Sequence, residues 1–204
     1  MSVISSPSET QKESQEKLVT FCQLLAQTYR QLRALTSTER SNVDKTLAKA
    51  SRYELIRRVN YSATSSCYSE RQIEQTQTEC LHEINNRLIA TGELIHETTN
   101  EFYKLLRSYQ DLQQTAQKLD WSTTSKCALI NGGVKQKPLE YYIQEGHRIV
   151  YQLSAVTTRI KLVFGAVDFQ RADTIQKLRD CLKLSEELDL YLREFMVYSS
   201  FIVK

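Results

Sequence analysis

Between Ser69 and Trp121 the chain contains no proline and a single glycine, Gly92. Sheets need frequent reversals, and tight reversals draw on glycine and proline because these supply positive or preset φ. The whole sequence shares the shortage, with Gly 5 and Pro 2 in 204 residues, well below ordinary usage. An all-α fold with few breaks follows.

Apolar residues recur at alternating steps of three and four, the spacing of a helix that buries one stripe. A mobile leader is expected over residues 1–9, where Ser6-Pro7 is a possible kinase target, and a first helix over about 10–37. In that helix Leu18, Phe21, Leu25, Leu32 and Leu35 form the stripe. Ser37 and Thr38 read as its end, and Ser41 as the cap of a second helix over about 41–60. The small polar run from Tyr61 to Ser69 reads as a loop.

The third helix, about 69–121, carries Ile73, Cys80, Ile84, Leu88, Thr91, Ile95, Phe102, Leu105, Tyr109 and Leu112 on one seam. Some 50 residues at 1.5 Å each make a rod of about 75 Å. An extra four residues between Ile84 and Leu88 form a stutter, and Gly92 marks the expected bend. Residues 122–137, centred on Asn131-Gly132-Gly133, read as a flexible loop, and Pro138 suits the first turn of the next helix. A C-terminal helical hairpin is expected over 138–204, turning near Gly165 and Asp168 and ending in one last helix from Ile175 to Ile202. The predicted architecture is an elongated helical bundle of coiled-coil hairpins with four to five helices.

One phrase occurs twice. Glu-x-x-His-Glu-x-x-Asn runs from Glu79 to Asn86 and again from Glu93 to Asn100. Glu-x-x-His is the spacing of carboxylate-bridged di-metal bundles, which makes Glu79, His82, Glu93 and His96 the candidate metal ligands. At about 100° per residue these four fall opposite the seam, whereas such bundles aim their ligands inward. A second histidine at the zinc-peptidase position is replaced by Asn86 and Asn100. A solvated or partner-facing stripe is the favoured reading, with pH sensing by His82 and His96 behind it, and no cofactor is expected. His147 reads as a satisfied residue beside the apolar seam.

Cys22, Cys67, Cys80, Cys127 and Cys181 form no C-x-x-C pair and read as reduced intracellular thiols that pack as small hydrophobes. The N-terminus is too polar for a secretory signal, and no window is apolar enough for a membrane span. On that footing the acceptor pattern Asn60-Tyr61-Ser62 is idle, and an intracellular location is expected. A net charge of +3, from Lys+Arg 27 against Asp+Glu 24, implies no nucleic-acid partner by itself.

Lys45, Lys49, Arg52, Arg57 and Arg58 make the most basic amphipathic segment, a candidate surface for nucleic acid or an acidic membrane. Loop lysines Lys126, Lys135 and Lys137 add a weaker one. The terminal run Phe195 to Val203 is too apolar to stand free. The reading these features favour is a non-enzymatic scaffold with no small-molecule substrate, a subunit of a hetero-oligomeric complex whose seams pair with other helical chains. Its expected partner-binding residues are Phe102, Leu105, Tyr109 and Leu112 on the long helix and Leu188, Leu192, Phe195, Tyr198, Phe201 and Ile202 near the C-terminus. A metal-binding bundle and a nucleic-acid or membrane-surface binder are the alternatives.

Overall fold

The computed structural model describes residues 9–58, 69–119, 121, 128–133 and 136–203. The expected leader with Ser6, most of the 61–69 loop, Asn60-Tyr61-Ser62, Cys67, Cys127, Lys126 and Lys135 lie outside them. The described chain is an all-α bundle. Its helices are α1 (Glu9–Ala34), α2 (Arg40–Arg57), α3 (Glu70–Gln117), α4 (Ala128–Asn131), α5 (Leu139–Gly165), α6 (Ala172–Cys181) and α7 (Glu186–Ser199).

The long helix is there, and it runs unbroken for 48 residues. A reciprocal cap starts it. The Gln72 amide donates to Ser69 Oγ, while the Ser69 N–H donates to Gln72 Oε1 at 2.9 Å, so two orphan donors of the first turn are satisfied. Helix continues through Gly92, so no break falls there. The glycine answers a packing need instead, since a Cβ at Gly92 would stand 2.7 Å from the tip of the Phe164 ring.

The expected stop at Ser37-Thr38 is also absent. Leu35–Glu39 forms a π-helical turn that joins α1 directly to α2. Ser and Thr at a helix end usually cap forward, but here they bond backward. Thr36 Oγ1 donates to the Leu32 carbonyl at 2.9 Å and Ser37 Oγ to the Arg33 carbonyl at 2.6 Å, which keeps the chain helical. Leu35 and Glu39, both buried, anchor the widened turn. Segments of 26, 5 and 18 residues thus follow one another without a gap, as long a helical run as the 48 of α3.

Two further breaks differ from expectation. The 122–137 loop contains α4, whose Leu129 and Ile130 are buried, and Gly132 next to it takes φ +75. The last helix is two, because Leu182 turns the chain at φ −75 and ψ 61 while the Lys183 amide donates to the Cys181 carbonyl at 2.8 Å, an inverse γ-turn. Ser185 then caps α7 by accepting from the Leu188 amide, ahead of Glu186, Glu187 and Asp189 in the first turn. The turn near Gly165 and Asp168 is where the lapse of the apolar stripe put it. Thr174 Oγ1 donates to the Asp168 carbonyl at 2.9 Å and accepts from the Asp168 amide at 3.0 Å.

Contacts group the chain into two compact units, each drawn from separate stretches of the sequence. One draws on Met1–Gln31, Thr99–Ala155 and Ser185–Lys204, the other on Leu32–Thr98 and Val156–Leu184. In the first unit the core is aromatic where α1, α3, α5 and α7 meet. Phe21 lies 5.6 Å from the Tyr109 ring and 6.5 Å from Phe195, and Phe195 is 5.8 Å from Tyr142. Gly146 of α5 allows this approach, because a Cβ there would stand 3.0 Å from Tyr109 and 3.2 Å from Phe21. In the second unit, α2 and α6 pack together. Arg179 pairs with Asp44 at 2.8 Å, and the Glu54 carboxylate accepts from the Ala172 amide at 2.8 Å, placing negative charge on the α6 N-terminus.

Candidate functional surfaces

The seam residues of α3 face inward. Ile73, Cys80, Ile84, Leu88, Thr91, Ile95, Phe102, Leu105, Tyr109 and Leu112 are all buried within the protein's own units. Four of them, Phe102, Leu105, Tyr109 and Leu112, were expected to bind a partner, as were Leu188, Leu192 and Phe195 of α7, and these too are buried. Burying each such side chain contributes roughly 1.5–3 kcal/mol to folding, so none is free for a second chain. Of the expected partner set, Tyr198 and Phe201 are exposed, at 36% and 44%, and Ile202 is half-buried.

Outward, α7 and the turn after it carry apolar residues that periodicity passed over. Leu190 is 59% exposed, Val197 58% and Val203 41%. Leu190 escaped notice because a search for one helical stripe discards everything off it, whereas Val197 and Val203 stood out only as part of the apolar terminal run. The signal was present as apolar residues on both faces of the same short helix.

Glu79, His82, Glu93 and His96 are all exposed on α3. Their hydrogen bonds run along the helix surface. His82 Nε2 is 3.0 Å from Asn86 Nδ2, and Glu79 accepts from Gln75 at 2.9 Å. Among the described residues no three His, Cys, Asp or Glu side chains converge as a metal would require. Glu83, inside the repeated phrase, pairs with Lys49 of the basic segment, and the hydrogen bond from Lys49 holds its carboxyl below the usual range, with Arg87 and Arg52 adding to the effect. One candidate surface therefore neutralises part of the other. Lys45, Arg52, Arg57 and Arg58 remain exposed, and Arg58 leans on Glu54 at 3.7 Å. His147 corrects its expectation, since it is exposed, with its ring 6.3 Å from that of Tyr109.

Cys22, Cys80 and Cys181 are free and buried. Burial pushes the Cys22 thiol up to about 12 and raises that of Cys181, the opposite of what a nucleophile needs.

Among the described residues the one buried carboxylate is Glu39, at the end of the π-helical turn. Thr91 Oγ1 of α3 donates to one of its oxygens, and Asn42 Nδ2 donates to the other at 3.1 Å. The polar interruption of the seam at Thr91 was legible in sequence, but its partner was not, because Glu39 fell in a predicted break.

Among the described residues no helix is long and apolar enough to cross a membrane. Comparison with protein-family models, with curated proteins and with solved structures returns no match.

Proposed function

We propose that this protein is a non-enzymatic interaction subunit of a larger protein assembly, and that it meets another helical protein through the outer face of α7 and the turn that follows. One observation carries this reading: large apolar side chains stand uncovered on that face, among charged ones such as Glu187, Arg193 and Glu194. Leu190 and Val197 stand two helical turns apart on a common stripe, and Phe201 and Val203 follow directly. Large apolar side chains gathered on a surface mark interaction sites more often than bare solvent-facing skin. The inward faces of α3 and α7 are already satisfied by the protein's own helices, so the partner surface is this outer one and not the seams.

The test is purification of the tagged chain from its native cell, beside a Leu190→Glu/Val197→Glu variant. Both positions are exposed, so the variant should keep the helical content and melting behaviour of the wild type. Proteins that accompany the wild type in fixed stoichiometry should fall at least tenfold, since each buried apolar side chain at an interface contributes about 1.5–3 kcal/mol. Equal recovery of the same proteins with the variant would overturn the reading.

A further inference from the structure

Lys137 holds its ammonium over two rings of the first unit. Its Nζ lies 4.8 Å from the centre of Tyr198 and 5.7 Å from that of Tyr141. Both separations fall within the ~6 Å at which a cation is drawn to the negative face of an aromatic ring. The two rings stand nearly perpendicular, 79° apart with centres 6.0 Å from one another, so they form two walls of a corner. Phe195 backs one wall, stacked on Tyr141 at 6.2 Å and 15°, and is itself buried. The corner is thus fixed from behind by the core, while Tyr198 stays 36% exposed at the mouth.

The Tyr141 hydroxyl is raised by burial first and then by Glu145, Tyr198 and Glu194. Glu145 is held in place by Arg148 and by the Tyr191 hydroxyl. Aromatic walls are the chemistry that recognises alkylated ammonium groups. Such ions are weakly hydrated and surrender little solvation when they enter.

We propose that Tyr141 and Tyr198 form an ammonium-binding corner, that Lys137 occupies it in cis, and that displacing Lys137 opens it to a methylated ammonium group. Primary ammonium is the poorer occupant because it is a compact, strongly hydrated charge. The chain's own lysine therefore acts as a placeholder whose advantage is being tethered one residue before Pro138 and the start of α5. The inference is independent of the reading for α7 as a protein-docking face, and its test has no need of a partner.

Aromatic resonances of Tyr141 and Tyr198 in the isotopically labelled full chain report occupancy directly. Tetramethylammonium chloride, a peptide bearing one trimethyllysine and the same peptide unmodified are each titrated, with sodium chloride as the ionic-strength reference. In Lys137→Ala both tyrosines should shift saturably with tetramethylammonium. In the wild type the midpoint should lie about tenfold higher, because the tethered lysine competes, and adding Tyr198→Ala to Lys137→Ala should weaken binding at least fivefold. Lys137→Met, which keeps the apolar stem, serves if the alanine variant fails to fold. A response to both the salt and the trimethyllysine peptide assigns the ligand as a modified side chain. A response to the salt alone assigns a free quaternary ammonium. A folded, opened variant whose Tyr141 and Tyr198 signals move no more with tetramethylammonium than with sodium chloride overturns the proposal.

Discussion

A methyl group at Gly146 and one at Gly92 would meet different resistance, although the nearer neighbour belongs to Gly92. At Gly146 the obstacles are the Tyr109 and Phe21 rings at 3.0 and 3.2 Å, both buried and held by other rings, and Tyr109 is pinned further by donating to the Ile143 carbonyl at 2.9 Å. Overpacking of this kind costs about 1–3 kcal/mol, more than the ~1 kcal/mol that alanine returns through helix propensity. At Gly92 the obstacle is the free end of the Phe164 ring, which is only half-buried and has room to swing. Denaturant titration should show Gly146→Ala less stable than wild type by about 1 kcal/mol and Gly92→Ala within about 0.5 kcal/mol of it. A Gly92→Ala variant less stable than Gly146→Ala would contradict this account. Both glycines are visible in sequence as the small residues of otherwise large-residue helices. What faces them is set by helices distant in the chain, and no local pattern carries that information.

At the scale of the element, the π-helical turn is the feature that sequence hid. A run of Thr36, Ser37 and Thr38 reads as helix punctuation because hydroxyls compete for backbone groups, and the same hydroxyls sustain a helix when they bond to the turn behind them. Which way they bond depends on burial of Leu35 and Glu39, a tertiary matter. The opposite error at Leu182 has the same origin. Leu178, Leu182, Ser185 and Leu188 keep the three-four step straight through the γ-turn, so periodicity bridged a real break. The cap signal, Ser185 before Glu186 and Glu187, was there to be weighed against it. Near Ser69, where the small polar run gives way to the apolar periodicity, the helix start was legible to within a residue. The turn's stability rests on Glu39, whose removal would leave the Thr91 hydroxyl and the Asn42 amide without their shared acceptor. Glu39→Ala should cost about 1–3 kcal/mol by thermal or denaturant unfolding, and Glu39→Gln, which keeps one acceptor oxygen, distinctly less. Equal losses in the two variants would show that shape, and not the hydrogen bonds, is what the position supplies.

Across the whole molecule, the seam reading picked out side chains of the long helix that are buried, while its assignment of their cover to other chains went beyond what a pattern can carry. Periodicity reports that a face is covered, and it is silent on whether the cover comes from the same chain. The interior that results is rich in weak acids. Burial pushes Cys22 up to about 12 from an ordinary 9.0, and Tyr109 and Tyr142 up to about 12 from 10.0; Cys181 is raised as well. Each raised group favours the folded state while it stays protonated, so the contribution is complete below the unfolded value and disappears as pH climbs toward the folded one. All four act in the same direction. The lowered carboxyls of Glu83, Asp173 and Asp180 act oppositely, on the acid side, but they are solvent-exposed and screened, so acid should have the smaller effect. The melting temperature should therefore hold from neutral pH to about 9 and fall steadily toward 12. Cys22→Ala thins the first step of that decline to what Cys181 supplies, so the loss of stability should set in later, toward pH 10, where the tyrosines join. Unchanged onset in Cys22→Ala would remove that thiol from the explanation, and a melting temperature flat to pH 12 would remove the buried acids altogether.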